Sequence, residues 1–188
     1  VCYLLLFAVC CLLFAVCYLR FATMTIDTAN AYVSLGSNLG DRAGNLLLAI
    51  RGMLDAGLEV TRLSQVYETE PVETFAQPRF LNMVAELQTT VEPEQVMMRL
   101  LRLEESLGRT RDIPKGPRTI DLDLLLYGDQ IVATKLLTLP HPRFHLRRFV
   151  LVPLAELAPR FIHPRLDETV RELLEQLIDD AEVRSWRP

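Results

Sequence analysis

The sequence predicts an α+β fold with a ferredoxin-like core, extended at its carboxyl end by short strands and helices. Some segments alternate apolar and polar residues, as strands do, and others repeat an apolar residue every three or four positions, as helices do. Their order is strand, helix, strand, strand, helix, strand, which is the order of a ferredoxin-like unit. We therefore expect a mainly antiparallel sheet with helices on both faces.

The first strand and helix are joined by a short polar turn. Apolar residues alternate over 31–35, which predicts a strand. The turn residues of 36–40 follow, and Asp41 is placed to cap the amino end of a helix over 41–54.

The middle of the core is predicted to contain two strands and a second helix. The strands cover 58–67 and 80–88, and the prolines of the loop 68–78 exclude regular structure between them. A helix over 92–108 begins with Pro93 in its first turn and ends at a glycine.

The carboxyl part adds smaller elements to this core. Two short apolar segments at 131–132 and 137–139 predict either a small hairpin or two short edge strands, and 144–148 predicts a helical turn. The pattern of residues 149–157 predicts a partly helical segment. The pattern of residues 166–178 predicts an amphipathic helix.

The composition favours one globular domain. The chain has 188 residues, of which 50% are hydrophobic and 23% charged. The net charge of −4 argues against broad binding to nucleic acid, so basic residues that matter must be clustered locally.

The first 23 residues differ from the rest of the chain. Residues 1–19 carry no charge, contain all four cysteines and repeat a seven-residue apolar motif. Their length fits a membrane anchor, and a cleaved targeting segment is a second interpretation. We favour a third, translated repetitive DNA ahead of a natural start at Met24, because DNA duplication explains a near-perfect repeat most simply. Residues 24–188 are then a single cytoplasmic domain without membrane contact, unless residues 1–19 are an anchor.

The most informative stretch is 116–127, which reads G-P-R-T-I-D-L-D-L-L-L-Y. Its alternation predicts a strand with Asp121 and Asp123 on one face. The opposite face would carry four apolar residues, namely Ile120, Leu122, Leu124 and Leu126. The two carboxylates lie about 7 Å apart along such a strand, and neighbouring carboxylates repel unless a cation lies between them.

These carboxylates have two interpretations. An isolated Asp-x-Asp is more often a strand with two solvated aspartates than a metal site. Four basic residues precede the pair, however, and they are Arg109, Arg111, Lys115 and Arg118. Carboxylates suit Mg²⁺, and cations beside them suit a polyphosphate.

A second candidate site lies on the strand predicted over 80–88. Phe80 and Asn82 project from the same face, beside the preceding loop. An aromatic ring beside an amide suits a flat heterocycle that carries hydrogen-bond donors and acceptors. On their own, however, these two residues are better explained as an ordinary strand face.

Residues 116–125 resemble the signature of the 6-hydroxymethyl-7,8-dihydropterin pyrophosphokinase family of folate biosynthesis. The resemblance extends in order over 31–157. It implies Mg²⁺-dependent transfer of diphosphate from ATP to the hydroxymethyl group of the dihydropterin, which yields AMP and the pterin diphosphate. Two Mg²⁺ ions, ATP and the pterin are the implied ligands, and we expect a monomer that binds no nucleic acid.

The resemblance also implies roles for single residues. Asp121 and Asp123 would hold the metal and, with Arg109 and Arg118, form the catalytic set. The implied ATP-binding residues are Glu104, Arg109, Arg111, Arg118, Ile120, Thr138, His141 and Arg147. The implied pterin-binding residues are Gly36, Thr69, Glu70, Val72, Phe80, Asn82, Asp121 and Phe149.

The chain departs from the family pattern at three positions, of which Phe80, where Tyr is common, is a mild change. Lys115 stands where a Trp is common, in a loop one residue shorter, and Pro142 stands where an aromatic residue can occur. Two alternatives also remain open. Another metal-dependent transferase would explain the carboxylates but not the Phe80 and Asn82 face. A ferredoxin-like binding module without catalysis would leave the adjacent basic residues unexplained.

Overall fold

The computed structural model describes residues 28–71, 77–109, 116–179 and 181–187. The predictions for the N-terminal repeat lie outside these residues, as do those for Val72, Arg111 and Lys115.

The described residues form strands and helices in the predicted alternation. In chain order the elements are β1 (Ala29–Ser37), α1 (Arg42–Asp55), β2 (Glu59–Leu63), β3 (Tyr67–Thr69), β4 (Phe80–Thr89), α2 (Pro93–Ser106), β5 (Asp121–Tyr127), β6 (Val132–Ala133), β7 (Thr138–Leu139), a 3₁₀ helix (Phe144–Leu146), α3 (Arg148–Leu157), α4 (Val170–Gln176) and β8 (Val183–Ser185).

The main sheet has the order β5-β1-β4-β3-β8, and β2 pairs with β4 as well. Every pair of strands in it is antiparallel. Strands β6 and β7 form a separate hairpin, which is one of the two predicted arrangements. The prediction of an α+β fold built on an antiparallel sheet is confirmed.

Helices cover both faces of the sheet, as expected. On one face, α1 and α2 contribute Leu46, Met53 and Leu100 to a core with the apolar residues of β1. On the other, α3 and α4 contribute Leu151 and Val170 to a second core. Burial of these two apolar layers is the main force that holds the sheet between its helices.

The predicted strand over 58–67 is two strands in the structure. One more residue lies between Leu63 and Tyr67 than between their partners on β4, so the pairing must shift. The break lies at Ser64, whose backbone N–H donates to the Val84 carbonyl at 2.9 Å and whose hydroxyl accepts the Val84 N–H at 2.9 Å. A side chain thus replaces a backbone partner, which alternation in the sequence does not reveal.

The prediction that Leu126 shares a face with Leu122 and Leu124 is wrong. Tyr32 pairs with Leu126 while Val33 pairs with Leu124, which leaves Leu125 as an extra residue in β5. This bulge reverses the alternation. Leu126 therefore packs in the second core beneath α3 and α4.

The last helix is shorter than predicted, and β8 was not predicted. Helix α4 begins after Thr169 because Thr169 and Glu172 form a reciprocal capping box. Strand β8 pairs with β3, a partner more than a hundred residues earlier in the chain. In the described part of the chain, no helix has the length and apolar character needed to cross a bilayer.

Candidate active site

A polar cleft of about 280 Å³ opens where β1, β4 and β5 lie side by side. It is lined by Ser34, Gly36, Thr69, Glu70, Pro71, Gln77, Phe80, Asn82, Arg109, Arg118, Asp121, Asp123, His141, Arg143, Arg147 and Phe149. Twelve of these residues were predicted as site residues from the sequence.

One row of residues crosses the three strands at the floor of the cleft. Gly36 on β1 pairs with Asn82 on β4 and with Asp121 on β5. A Cβ at position 36 would lie 2.8 Å from the Asn82 Oδ1 and 3.9 Å from the Asp121 Cβ. Glycine therefore leaves space for a ligand between the amide and the carboxylate.

Strand β5 presents both of its aspartates to the cleft, as its alternation predicts. Asp123 pairs across the sheet with Ser34, another residue of the cleft. Burial of the Asp123 carboxyl, and then the negative charge of Asp121, raise its pKa to about 6. A full negative charge on both carboxylates is therefore costly without cations nearby.

Three guanidinium groups face this carboxylate pair. The Nη1 atoms of Arg109 and Arg118 lie 2.6 Å from the two carboxylate oxygens of Asp121, one on each. The Nη1 of Arg147 lies 3.9 Å from the Asp123 Oδ2. Arg118 and Arg147 also approach the rings of Phe80 and Phe149, respectively.

Asn82, which is 3% exposed, lies on the other side of Gly36 from Asp121. Its Nδ2 donates a hydrogen bond of 2.6 Å to the Thr69 Oγ1. Phe80 on β4 and Phe149 on α3 provide aromatic surface in the same cleft. Glu70 lies at its edge, where it pairs with Arg79 at 2.8 Å.

His141 enters the cleft from the loop after β7. Its backbone N–H donates to the Leu125 carbonyl at 2.9 Å, and its Nδ1 accepts the Arg143 N–H at 3.3 Å. Burial, together with the charges of Arg147 and Arg143, lowers the pKa of His141 to about 4. The ring is therefore neutral at neutral pH, and its proton is on Nε2.

Glu104 lies behind the cleft and does not line it. This carboxylate on α2 is 2% exposed. Its Oε1 accepts the Leu122 N–H at 2.7 Å and also pairs with the Arg109 guanidinium. Glu104 thereby connects the end of α2 to β5 and to an arginine of the cleft.

We expect Glu104→Gln to lower the free energy of unfolding by about 1–3 kcal/mol, because the amide keeps the Leu122 contact but loses the charge that faces Arg109. Urea denaturation would measure the change. Glu105→Gln is the matched control, since Glu105 is exposed on the same helix; its effect should stay within about 0.5 kcal/mol. Equal effects of the two substitutions would contradict a special role for the buried carboxylate.

Two other predicted ATP-binding residues are not among those that line the cleft. Ile120 is fully buried in the first core, immediately before β5. Thr138 lies on β7, opposite Ala133. Val72 and Arg111 lie outside the described residues.

Sequence reasoning missed four residues of the cleft, which are Ser34, Pro71, Gln77 and Arg143. Arg143 is the most informative, because it adds a fourth cation. Its position two residues after His141 was the available signal. Nothing in the sequence around Ser34 indicates a site residue, because only its pairing with Asp123 places Ser34 in the cleft.

The residues of the cleft fit Mg²⁺ that is shared with a substrate. Among the described residues, no group of three or more His, Cys, Asp or Glu side chains could hold a metal alone. Mg²⁺ commonly takes one or two carboxylates and completes its coordination with water and phosphate oxygens. The Asp121 and Asp123 pair, with the raised pKa of Asp123, matches that requirement.

Comparisons with known proteins agree on one family. The profile of the 7,8-dihydro-6-hydroxymethylpterin-pyrophosphokinase (HPPK) family matches residues 32–159. The 2-amino-4-hydroxy-6-hydroxymethyldihydropteridine pyrophosphokinase of Bacillus subtilis is 39% identical over 158 residues, which cover 84% of this chain and 90% of that protein.

Two further relatives belong to longer proteins. The folic acid synthesis protein fol1 of Pneumocystis carinii is 41% identical over 155 residues, which cover 82% of this chain but 21% of that protein. A solved HPPK-DHPS structure from Plasmodium falciparum has a TM-score of 0.63 at 15% identity, covering 82% of this chain and 46% of that chain. This last likeness shows the fold alone.

The family profile covers most of the chain, and the Bacillus relative matches over nearly its whole length. The relatives from Bacillus subtilis and Aquifex aeolicus are named pyrophosphokinases, which are diphosphotransferases. The chain therefore belongs to the 7,8-dihydro-6-hydroxymethylpterin-pyrophosphokinase family of enzymes.

Proposed function

We propose that the protein transfers diphosphate from ATP to the hydroxymethyl group of 6-hydroxymethyl-7,8-dihydropterin, with Mg²⁺, and releases AMP. One observation carries the proposal: the row of Asn82, Gly36 and Asp121 joins the amide and aromatic groups of the cleft directly to its cluster of carboxylates and arginines. A reaction between a heterocyclic alcohol and a polyphosphate needs these two environments side by side.

The pterin would bind at the Asn82 side of this row. The amide of Asn82 offers a donor and an acceptor to the edge of the ring, and Thr69 holds that amide in place at 2.6 Å. Phe80 and Phe149 offer aromatic faces for stacking. The space above Gly36 would let the ring lie close to the strand.

The triphosphate would bind at the Asp121 side. Arg109, Arg118 and Arg147 would exchange carboxylate oxygens for phosphate oxygens, which form charge-assisted hydrogen bonds with guanidinium groups. Asp121 and Asp123 would hold two Mg²⁺ ions, whose chemistry there is to neutralise the charge of the phosphates.

Catalysis would then consist mainly of positioning and charge stabilisation. His141 is neutral because its pKa is lowered to about 4. It would contribute a hydrogen bond from Nε2 to a phosphate oxygen and would not act as a cation. The cations that stabilise charge as AMP leaves would be the arginines of the cleft.

A product analysis tests this proposal. The purified protein would be mixed with ATP, Mg²⁺ and the reduced hydroxymethylpterin, and the nucleotides separated by chromatography. We expect AMP and the pterin diphosphate in equal amounts, and no AMP with a 6-methyl pterin that lacks the hydroxyl group. Stoichiometric ADP with a monophosphorylated pterin would overturn the assignment. Binding of both ligands without turnover would favour the binding module without catalysis.

We also propose that residues 24–188 act as a single cytoplasmic monomer whose partners are ATP and the pterin. A chain that begins at Met24 should keep the melting temperature and turnover of the full chain, because every residue of the cleft follows that position. Thermal denaturation and the AMP assay would compare the two. A loss of folding or activity in the shorter chain would show that the N-terminal repeat belongs to the working protein.

A further inference from the structure

Asn38 connects the two chain segments that border the cleft, although it does not line the cleft itself. It lies in the turn between β1 and α1 and is 1% exposed. The two segments are 77–78, which precedes β4, and 116–118, which precedes β5. They are separated by about forty residues of sequence.

Four hydrogen bonds join Asn38 to these segments. Its Nδ2 donates to the Gln77 Oε1 at 3.2 Å and to the Pro78 carbonyl at 3.3 Å. Its Oδ1 accepts the Arg118 N–H at 2.7 Å, and its own backbone N–H donates to the Arg118 carbonyl at 3.1 Å.

Backbone groups determine which way the amide of Asn38 points. The Pro78 carbonyl can only accept a hydrogen bond, and the Arg118 N–H can only donate one. The nitrogen must therefore face Pro78 and the oxygen must face Arg118. An aspartate at this position would place an acceptor against Pro78, and an alanine would leave buried polar groups without their partner.

The two segments that Asn38 holds contribute residues to the aromatic side of the cleft and to its charged side. Gln77 lines the cleft, and Phe80 follows two residues after Pro78. The guanidinium of Arg118 lies 2.6 Å from the Asp121 Oδ2 and 5.7 Å from the centroid of the Phe80 ring. The position of the Arg118 backbone therefore affects the charged cluster and the aromatic surface together.

We propose that Asn38 is a positioning residue for both substrates: one buried amide aligns Arg118 with the phosphates and the 77–78 segment with the heterocycle. This inference rests on the proposed function for its substrates, but the alignment itself is a property of the protein without ligand. Asn38 makes no contact with substrate and acts only through the segments that it holds.

The test compares Asn38→Asp and Asn38→Ala with Asn45→Ala. Asn45 is a suitable control because its Nδ2 supports the same turn, with bonds to the Ser37 Oγ and the Leu39 carbonyl, and reaches neither segment. We expect the Asn38 variants to lower kcat/KM for AMP formation by about tenfold to a hundredfold. Asn45→Ala should lower the melting temperature without a comparable loss of kcat/KM.

A double-mutant cycle with Arg118→Ala separates positioning from a general structural role. If Asn38 acts on ATP through Arg118, Asn38→Ala should weaken binding of a non-hydrolysable ATP analogue much less when Arg118 is already absent. Pterin binding should still fall, through 77–78. Additive losses in the analogue titration, or an Asn38 variant that matches Asn45→Ala in kcat/KM, would overturn the proposal.

Hydrogen–deuterium exchange supplies a measurement that does not depend on the reaction. Asn38→Asp, which retains nearly the volume of the asparagine, should speed exchange in both 77–82 and 116–122. Asn45→Ala should speed it in neither. Unchanged exchange in these segments would overturn the inference even if the wild type forms AMP. If the wild type forms no AMP but exchange changes as expected, the proposed function fails and the alignment by Asn38 stands.

Discussion

Asp123→Ala is expected to reduce kcat by about a thousandfold or more. The change removes one of two carboxylates that would hold Mg²⁺ beside the phosphates, a contribution of several kcal/mol to transition-state stabilisation. Steady-state measurement of AMP formation at saturating Mg²⁺ would show the loss. The fold should remain intact, because the side chain faces the cleft and its removal relieves the repulsion by Asp121.

Two further variants test whether the loss of activity is due to the Asp123 carboxylate itself. Asp123→Asn keeps the volume and should lose nearly as much activity, without a fall in melting temperature. Asp129→Ala removes an exposed carboxylate just beyond the same strand and should leave kcat unchanged. An Asp123→Ala protein that retains a near-native rate would exclude the proposed metal role.

Phe149→Ala should weaken pterin binding by about tenfold to a hundredfold and ATP binding much less. Loss of an aromatic face typically costs about 1–3 kcal/mol for each stacked ring. Phe149 lies at the start of α3 and lines the cleft. The guanidinium carbon of Arg147 lies over its ring, 5.6 Å from the ring centroid. Separate titrations with the pterin and a non-hydrolysable ATP analogue would measure the two affinities.

Phe161→Ala is the matched control for this substitution. Phe161 makes an edge contact with Tyr32 in the second core and does not line the cleft. Its loss should lower the melting temperature and leave both affinities nearly unchanged. Equal losses of pterin and ATP affinity in Phe149→Ala would mean that Phe149 acts by packing and not by stacking on the pterin.

The order and type of the core elements were predictable because each depends on local patterns. Alternation of apolar residues identified β1, β4 and β5, and Asp41 caps α1 through its side chain, as predicted. Three features depend on partners far away in the sequence. They are the break at Ser64, the bulge at Leu125 and the pairing of β8 with β3.

For the site, residue patterns were enough to predict that Asp121 and Asp123 share a face, that arginines flank them, and that Phe80 projects with Asn82. Each of these follows from the period of a single strand or from adjacency along the chain. The family resemblance added His141, Arg147 and the other residues whose patterns are not distinctive.

Which of these groups lie together depends on how the strands and helices pack against one another. The register of three strands places Gly36 between Asn82 and Asp121. The packing of α2 against β5 buries Glu104 behind the cleft, and the turn before α1 brings Asn38 to Arg118. Sequence periodicity predicts which way a side chain points from its own helix or strand. Hydrogen bonds between distant segments depend on how those elements are placed against one another, and burial of the two cores determines that placement.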